Sequence, residues 1–306
     1  MTNNLSEIAS KSLGDSTSYA VYTDQFDPSL LNPMPRASAR EGWGINPDLI
    51  GGFDRWNCHE ATFLLNSGQP IAGTLSFVYG AHSEFMIESK SMKLYLNSFD
   101  MCRMGQNVKD AINLYVGQIQ TDLSACLQTP VRAHFHWIVE RSFEARVRPL
   151  GGSQSLDALN LSDVEFTDFT GKENHVETLD ITPINNTFAW HTNALRSRCR
   201  HTKQKDTGTA SIIYQGNYSI SPVSIFKQIV SLREVNEFHE FCAEKILVEI
   251  GKHVAPFDNL SVALFYARRG SLDINPVRWI AGSSLANRRY DDIYDPANYL
   301  EKTQGQ

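Results

Sequence analysis

Residues 221–250 read SPVSIFKQIVSLREVNEFHEFCAEKILVEI, and their spacing sets the expectation for the fold. Ile225, Ile229, Leu232, Val235, Phe238, Cys242, Ile246 and Ile250 recur at three- or four-residue steps, the period at which side chains share one face of an α-helix. Ser221 followed by Pro222 suits a helix start, because serine caps free N–H groups and proline lacks one of its own. Ser231 and Glu234 have capping-box spacing, so the block reads as two consecutive helices with a break near 231. Earlier in the chain Val108, Ile112, Tyr115, Ile119, Leu123 and Cys126 form a similar stripe, which predicts an amphipathic helix over roughly 106–127.

Strand-like runs flank both helical blocks. IAGTLSFVYG (71–80) and a β-rich stretch, VRAHFHWIVERSFEARV (131–147), bracket the first. TASIIYQG (209–216) precedes the second, and LSVALFYARRG (260–270) and NPVRWIAG (275–282) follow it. Each half therefore reads as strands, long helices, strands, which is an α+β chain of two modules of similar plan, residues 46–150 and 181–290. The acidic, turn-rich stretch 151–180 joins them, an irregular Ser-, Asn- and Pro-rich segment (1–45) leads in, and 291–306 is a tail.

The 306 residues are 42% apolar and 20% charged, an ordinary globular composition. A formal charge of −6 and a pI near 5.8 point away from a nucleic-acid binder. No apolar run approaches the roughly 18–20 residues that span a bilayer, and the opening MTNNLSEIASKSLGDS lacks the basic and apolar regions of a signal peptide. Cys58, Cys102, Cys126, Cys199 and Cys242 are scattered without a C-x-x-C pair, so neither a disulfide framework nor a structural zinc site is expected. The expectation is a reduced, cytoplasmic protein.

Four stretches could carry chemistry. In LRSRCRHTKQKD (195–206), Arg198 and Arg200 flank Cys199, and neighbouring cations favour the reactive thiolate. Asp206 would return within reach of Cys199 if 200–205 form a turn, pairing a nucleophile with a proton source. In FMIESKSMKLYLNSF (85–99), Glu88, Ser89, Lys90, Ser91 and Lys93 suit a phosphate or a heterocycle's N–H groups, and a solvated strand edge is the plainer reading of the same residues. His239 and Glu240 lie just off the helical stripe, at a boundary of core and surface. ARRGSLDINP (267–276) is a basic turn around Gly270 that could meet a cofactor phosphate.

Taken together, ESKSMKLYLNSF, DRWNCHE, the Cys199–Asp206 segment, EFHE and RRGSLDINPVR resemble, in order and spacing, the long two-module form of 7-cyano-7-deazaguanine reductase, the QueF nitrile reductases of queuosine biosynthesis. The resemblance covers roughly residues 40–285. It implies the tunnelling fold (T-fold), with tandem ββααββ-like modules, antiparallel sheets, paired long helices and active sites between modules. It also implies NADPH-dependent reduction of the deazapurine's nitrile to a primary amine by two hydride transfers. On that resemblance Cys199 is the nucleophile that forms a covalent thioimide and Asp206 the proton donor. Ile87, Glu88, Ser89, His239 and Glu240 bind substrate, and Ser89, Lys90, Arg269 and Gly270 bind NADPH. No metal or nucleic acid is implied, and a homodimer or higher homo-oligomer is. Arg198-Cys199-Arg200 and Lys205-Asp206-Thr207 depart from the family's usual Asn-Cys-Pro and Pro-Asp-Trp. The competing readings are another T-fold enzyme acting on a purine or pterin, such as a cyclohydrolase with Cys58-His59 as its nearest zinc candidates, and an RNA binder using the 195–206 cations.

Overall fold

The computed structural model describes residues 25–137, 152–255, 258–281, 290 and 293–297. Residues 138–147 of the expected β-rich stretch, 1–24 of the lead-in and 298–306 of the tail lie outside them. The lead-in carries two short elements, β1 (Pro33–Pro35) and α1 (Ala37–Trp43). The first half then runs β2 (Ile50–Leu64), β3 (Pro70–Gly80), β4 (Phe85–Ile87), α2 (Ser89–Asn97), α3 (Val108–Leu127) and β5 (Arg132–Trp137). The joining stretch contributes β6 (Gln154–Ser155), and the second half runs β7 (Thr178–Arg198), β8 (Lys205–Ile220), α4 (Pro222–Val230), α5 (His239–Gly251), β9 (Asn259–Tyr266) and β10 (Leu272–Ile280).

Eight strands form one sheet in the order β5-β3-β2-β10-β9-β8-β7-β6, antiparallel except where β6 meets β7. The halves join where β2 pairs with β10, Trp56 opposite Ile274 and Phe53 opposite Val277. The chain is thus an α+β protein. Alternation along the strands puts both helix pairs on one face. There, Tyr115, Ile119 and Leu123 of α3 pack with Trp56, Phe77 and Phe135, while Ile225, Ile229 and Ile246 of α4 and α5 pack with Ile212, Val262 and Leu264. The other face holds a smaller cluster, Phe53, Val78, Ala263, Phe265 and Val277, covered by Tyr290 and Ile293.

Both helical blocks form. In α3 the fully buried row is Ala111, Tyr115, Ile119, Leu123 and Leu127, while Val108, Ile112 and Cys126 flank it half-buried. Asn107 caps its start by accepting from the Asp110 N–H. The second block breaks where expected, into α4, a 3₁₀ turn (Ser231–Glu234) and α5. Ser221 caps α4 as read, but the Ser231–Glu234 capping box does not form: the Ser231 hydroxyl donates back to the Gln228 carbonyl at 2.8 Å. Cys58 and Cys242 are buried in the two cores. His59 instead meets Asp273, Nε2 to Oδ2 2.6 Å.

Candidate active site

The seven-residue gap between Cys199 and Asp206 is closed by a hairpin. Arg198 stands opposite Lys205 and Ser197 opposite Asp206 at the end of the β7–β8 ladder. The Cys199 N–H donates to the Gln204 carbonyl at 2.8 Å, and the Lys203 N–H donates to the Cys199 carbonyl at 3.0 Å. Lys203 takes a left-handed φ of 58°, which reverses the chain. Cys199 therefore sits half-buried at the hairpin tip, with Asp206 on the strand returning from it.

The cations adjacent in sequence are not the ones that reach the thiol. Arg198 pairs with Glu234 (2.7 Å) and Arg200 with Glu237 (3.0 Å), so both brace the hairpin against the segment leading into α5. Burial pushes the Cys199 thiol up, but hydrogen bonds from the Thr202 hydroxyl, the Thr202 and His201 N–H groups and the Arg269 guanidinium outweigh it and hold the thiol below its ordinary value. Arg269 comes from the turn after β9, where Gly270 adopts a φ of 62°. Arg269→Gln is accordingly expected to slow iodoacetamide alkylation of Cys199 near pH 7 by roughly three- to tenfold and to move its pH midpoint up. Arg198→Ala and Arg200→Ala should leave that midpoint in place, and a larger shift in either than in Arg269→Gln would contradict this assignment.

Arg269 also binds Asp206, Nη1 to Oδ1 2.6 Å, and His239 Nε2 lies 3.3 Å from the other carboxylate oxygen. Burial raises the Asp206 carboxyl, but His239 and Arg269 together hold it below the usual carboxylate range. The His239 ring lies flat on Tyr266, 3.7 Å between centroids at an interplanar angle of 9°. The stack fixes the imidazole plane so that its Nε2 edge addresses Asp206. One cleft thus holds Cys199, Asp206, His239 and Arg269 at the junction of the two halves.

The first half supplies the opposite wall. Only Phe85–Ile87 is strand, the short β4; the polar ESKS stretch opens α2 instead, where Glu88 is the cap, its carboxylate accepting from the N–H groups of Lys90 (3.0 Å) and Ser91 (2.7 Å). Ile87, Glu88, Ser89, Lys90 and Lys93 all line the cleft. Lys93 donates to the Arg269 carbonyl at 3.0 Å, and burial and the charge of Arg269 hold its ammonium below its ordinary value. Lys90, Lys93 and Arg269 are therefore cations crowded at one rim, and an anionic group there would relieve their repulsion. The residues fit the phosphates of a dinucleotide cofactor.

Glu240 departs from the sequence reading. It is not at a core–surface boundary but only 1% exposed, and its Oε1 has no hydrogen-bond partner among the described residues. Burial and the negative charge of Asp54 push its carboxyl up to about 7, with His239 and Arg36 opposing. The folded protein keeps a proton that the unfolded chain releases near pH 4.5, so this residue's contribution to stability falls as pH rises from about 4.5 to about 7. Glu240→Gln is expected to raise Tm by a few degrees near pH 8 and to lose that advantage near pH 5. Scanning calorimetry at the two pH values checks it, and an equal loss of Tm at both would contradict it.

The sequence missed Trp56, Thr202, Glu237 and Phe238 as cleft residues. Glu237 and Phe238 stand next to a pair that was singled out, so their position was the available signal. Among the described residues no three His, Cys, Asp or Glu side chains are grouped as a metal site, and no helix is long and apolar enough to cross a membrane.

A family profile described as "Nitrile reductase, 7-cyano-7-deazaguanine-reductase N-term" matches residues 22–135. The chain is 32% identical, over 99% of its length and 100% of the relative, to an NADPH-dependent 7-cyano-7-deazaguanine reductase of Hydrogenovibrio crunogenus (strain DSM 25203 / XCL-2). It is 33% identical, over 87% of its length and 88% of the relative, to the protein of the same name in Legionella pneumophila (strain Lens).

Proposed function

Because the chain belongs to the 7-cyano-7-deazaguanine reductase family of nitrile reductases, we propose that its cleft works by covalent capture of the nitrile on Cys199. The protein reduces the nitrile of 7-cyano-7-deazaguanine to the primary amine with NADPH, in queuosine biosynthesis. The observation that carries the mechanism is the juxtaposition of a lowered-pKa thiol, the Asp206–His239 pair and the carboxylates of Glu88 and Glu240 in one cleft.

The Cys199 sulfur adds to the nitrile carbon, and the displaced π pair moves to nitrogen, which takes a proton from the Asp206–His239 pair. This gives a thioimide. A hydride at the carbon and a proton at nitrogen reduce it, and the carbon–sulfur bond then breaks to return the thiolate and leave an imine. A second hydride and proton give the amine. Ser89, Lys90, Arg269 and Gly270 would hold NADPH at the rim, and the cofactor would supply both hydrides. Arg269 stabilises the thiolate each time it is regenerated and orients Asp206. Glu88 and Glu240 accept from the N–H edge of the base, with Ile87, Ser89 and His239 beside them.

The two halves, each pairing helices on its part of an antiparallel sheet, support the tunnelling fold with modules 46–150 and 181–290. A homodimer or larger assembly in the cytoplasm belongs to the same reading. The test is a steady-state assay with 7-cyano-7-deazaguanine and NADPH, followed at the nicotinamide absorbance. Two NADPH oxidised per amine formed is the expected result, and oxidation independent of the nitrile would overturn the reading.

A further inference from the structure

A buried seam of charge runs between the two helical cores, and the buried Glu240 stands one helical turn before its member Glu244 on α5. Asp54 of β2 accepts from Arg36 (2.5 Å) and pairs with Arg278 of β10 (2.7 Å). Arg278 continues to Glu244 of α5 at 3.1 Å, and Arg40 of α1 closes on Glu244 with two hydrogen bonds of 2.8 and 2.9 Å. Asp54, Arg278 and Glu244 are fully buried, and Arg36 is 1% exposed. Three guanidinium groups thus face two paired carboxylates. Buried charge is tolerated when it is balanced, and an ionised Glu240 supplies the missing negative charge. Glu240 makes no ion pair among the described residues, and both its Oε1 and the Arg36 Nη1 lack partners.

Arg36 belongs to the lead-in, immediately before α1. The same segment also grips the substrate wall. β1 pairs with β4, placing Pro33 opposite Ile87, and the Glu88 N–H donates to the Asn32 carbonyl at 3.1 Å. The Asn32 N–H donates to the Ser91 hydroxyl at 3.1 Å, and the Arg36 N–H to the Glu84 carbonyl at 3.0 Å. We propose that the N-terminal segment is part of the substrate site, and that Arg36 is a positioning residue that keeps Glu240 a carboxylate for the N–H edge of the bound base. This rests on the reading of Glu240 as a substrate ligand.

The groups that bear on Glu240 come from every side. Arg36 from the lead-in and His239 from α5 favour its charged form, while Asp54 from β2 opposes it. Tyr79 from β3 shares the same surroundings, and Arg278 and Arg40 are taken up by Asp54 and Glu244. Removing the Arg36 charge leaves Asp54 less opposed, so Glu240 should hold its proton to higher pH.

The experiment measures equilibrium binding of 7-cyano-7-deazaguanine to the full chain carrying Cys199→Ala, which blocks covalent capture, between about pH 6 and pH 9. Affinity in this parent should rise as Glu240 ionises and then level off. Adding Arg36→Gln should move the midpoint up by about half a pH unit or more, with affinity at the plateau within about threefold of the parent. Arg36→Lys keeps the charge and should leave the midpoint near the parent's. Asp54→Asn is the reciprocal arm, readable even if Arg36→Gln does not fold, and should move the midpoint down. A midpoint unmoved in Arg36→Gln, or in Asp54→Asn, would overturn the proposal, because a purely structural role weakens binding equally at all pH values. Glu240→Gln separates the two layers: it should remove this pH step, and an unchanged profile there would sink the assignment of Glu240 to substrate instead.

Discussion

Cys199→Ala is expected to abolish nitrile reduction, with a loss on the order of 10⁴-fold or more in kcat, as removal of a covalent nucleophile does. The nitrile carbon is a weak electrophile toward hydride until sulfur has added and a proton has reached nitrogen. No other thiol is placed to substitute: Cys58, Cys102, Cys126 and Cys242 do not line the cleft, and burial raises Cys58 and Cys242 well above their ordinary values. The variant should keep its fold. Cys199 is half-buried at a hairpin tip, and the turn is closed by its main-chain hydrogen bonds to Gln204 and Lys203 rather than by its side chain. NADPH oxidation assays combined with a thermal melt check both statements. Activity within tenfold of the parent would remove the covalent route.

Asp206→Asn should lower kcat by about 10²–10⁴-fold, the range for losing one member of a positioned proton-transfer pair, because the carboxylate works together with His239 at 3.3 Å. The amide preserves shape but not charge, so Arg269 and His239 lose the carboxylate that they share at 2.6 and 3.3 Å. Equilibrium binding of the base should change by less than about fivefold, so that the loss falls on kcat rather than on KM. Stability should also drop, by about 1–3 kcal/mol, since hydrogen bonds to a charged group are broken. The Asp206 carboxyl is held below its ordinary value, so its stabilising contribution is complete above about pH 4 and is lost as pH falls through its folded-state titration. The variant and the parent should therefore converge in Tm toward low pH. A kcat within fivefold of the parent would assign proton delivery elsewhere.

The helical blocks were legible because their apolar residues repeat at helical period, and the break near 231 followed from the polar residues there. Two long strands, Ile50–Leu64 and Thr178–Arg198, were not read as strands. Their interiors carry polar runs such as DRWNCHE and PINNT, and in β2 those side chains are satisfied by cross-strand partners rather than by water, as where Asn57 donates to Asp273 at 2.7 Å. Cys199 and Asp206 were legible as a pair because a turn is a local device. The origin of the thiol's charge environment was not. Arg198 and Arg200 are sequence neighbours of Cys199, yet they bond Glu234 and Glu237, and the guanidinium that bears on the thiol stands in another hairpin. Nothing in the sequence singles out Arg36 and Arg40 within the irregular lead-in, because their partners Asp54 and Glu244 lie 18 and 204 positions away. Pairing at that separation leaves no periodic trace in the chain.

Covalent capture at Cys199 is read out by intact-protein mass spectrometry after mixing the protein with 7-cyano-7-deazaguanine and no NADPH. The expected result is a gain equal to the whole mass of the nitrile, because addition expels nothing, located on Cys199 by peptide mapping and absent in Cys199→Ala. An unmodified protein that still reduces the nitrile once NADPH is added, or an adduct that persists in Cys199→Ala, would contradict it.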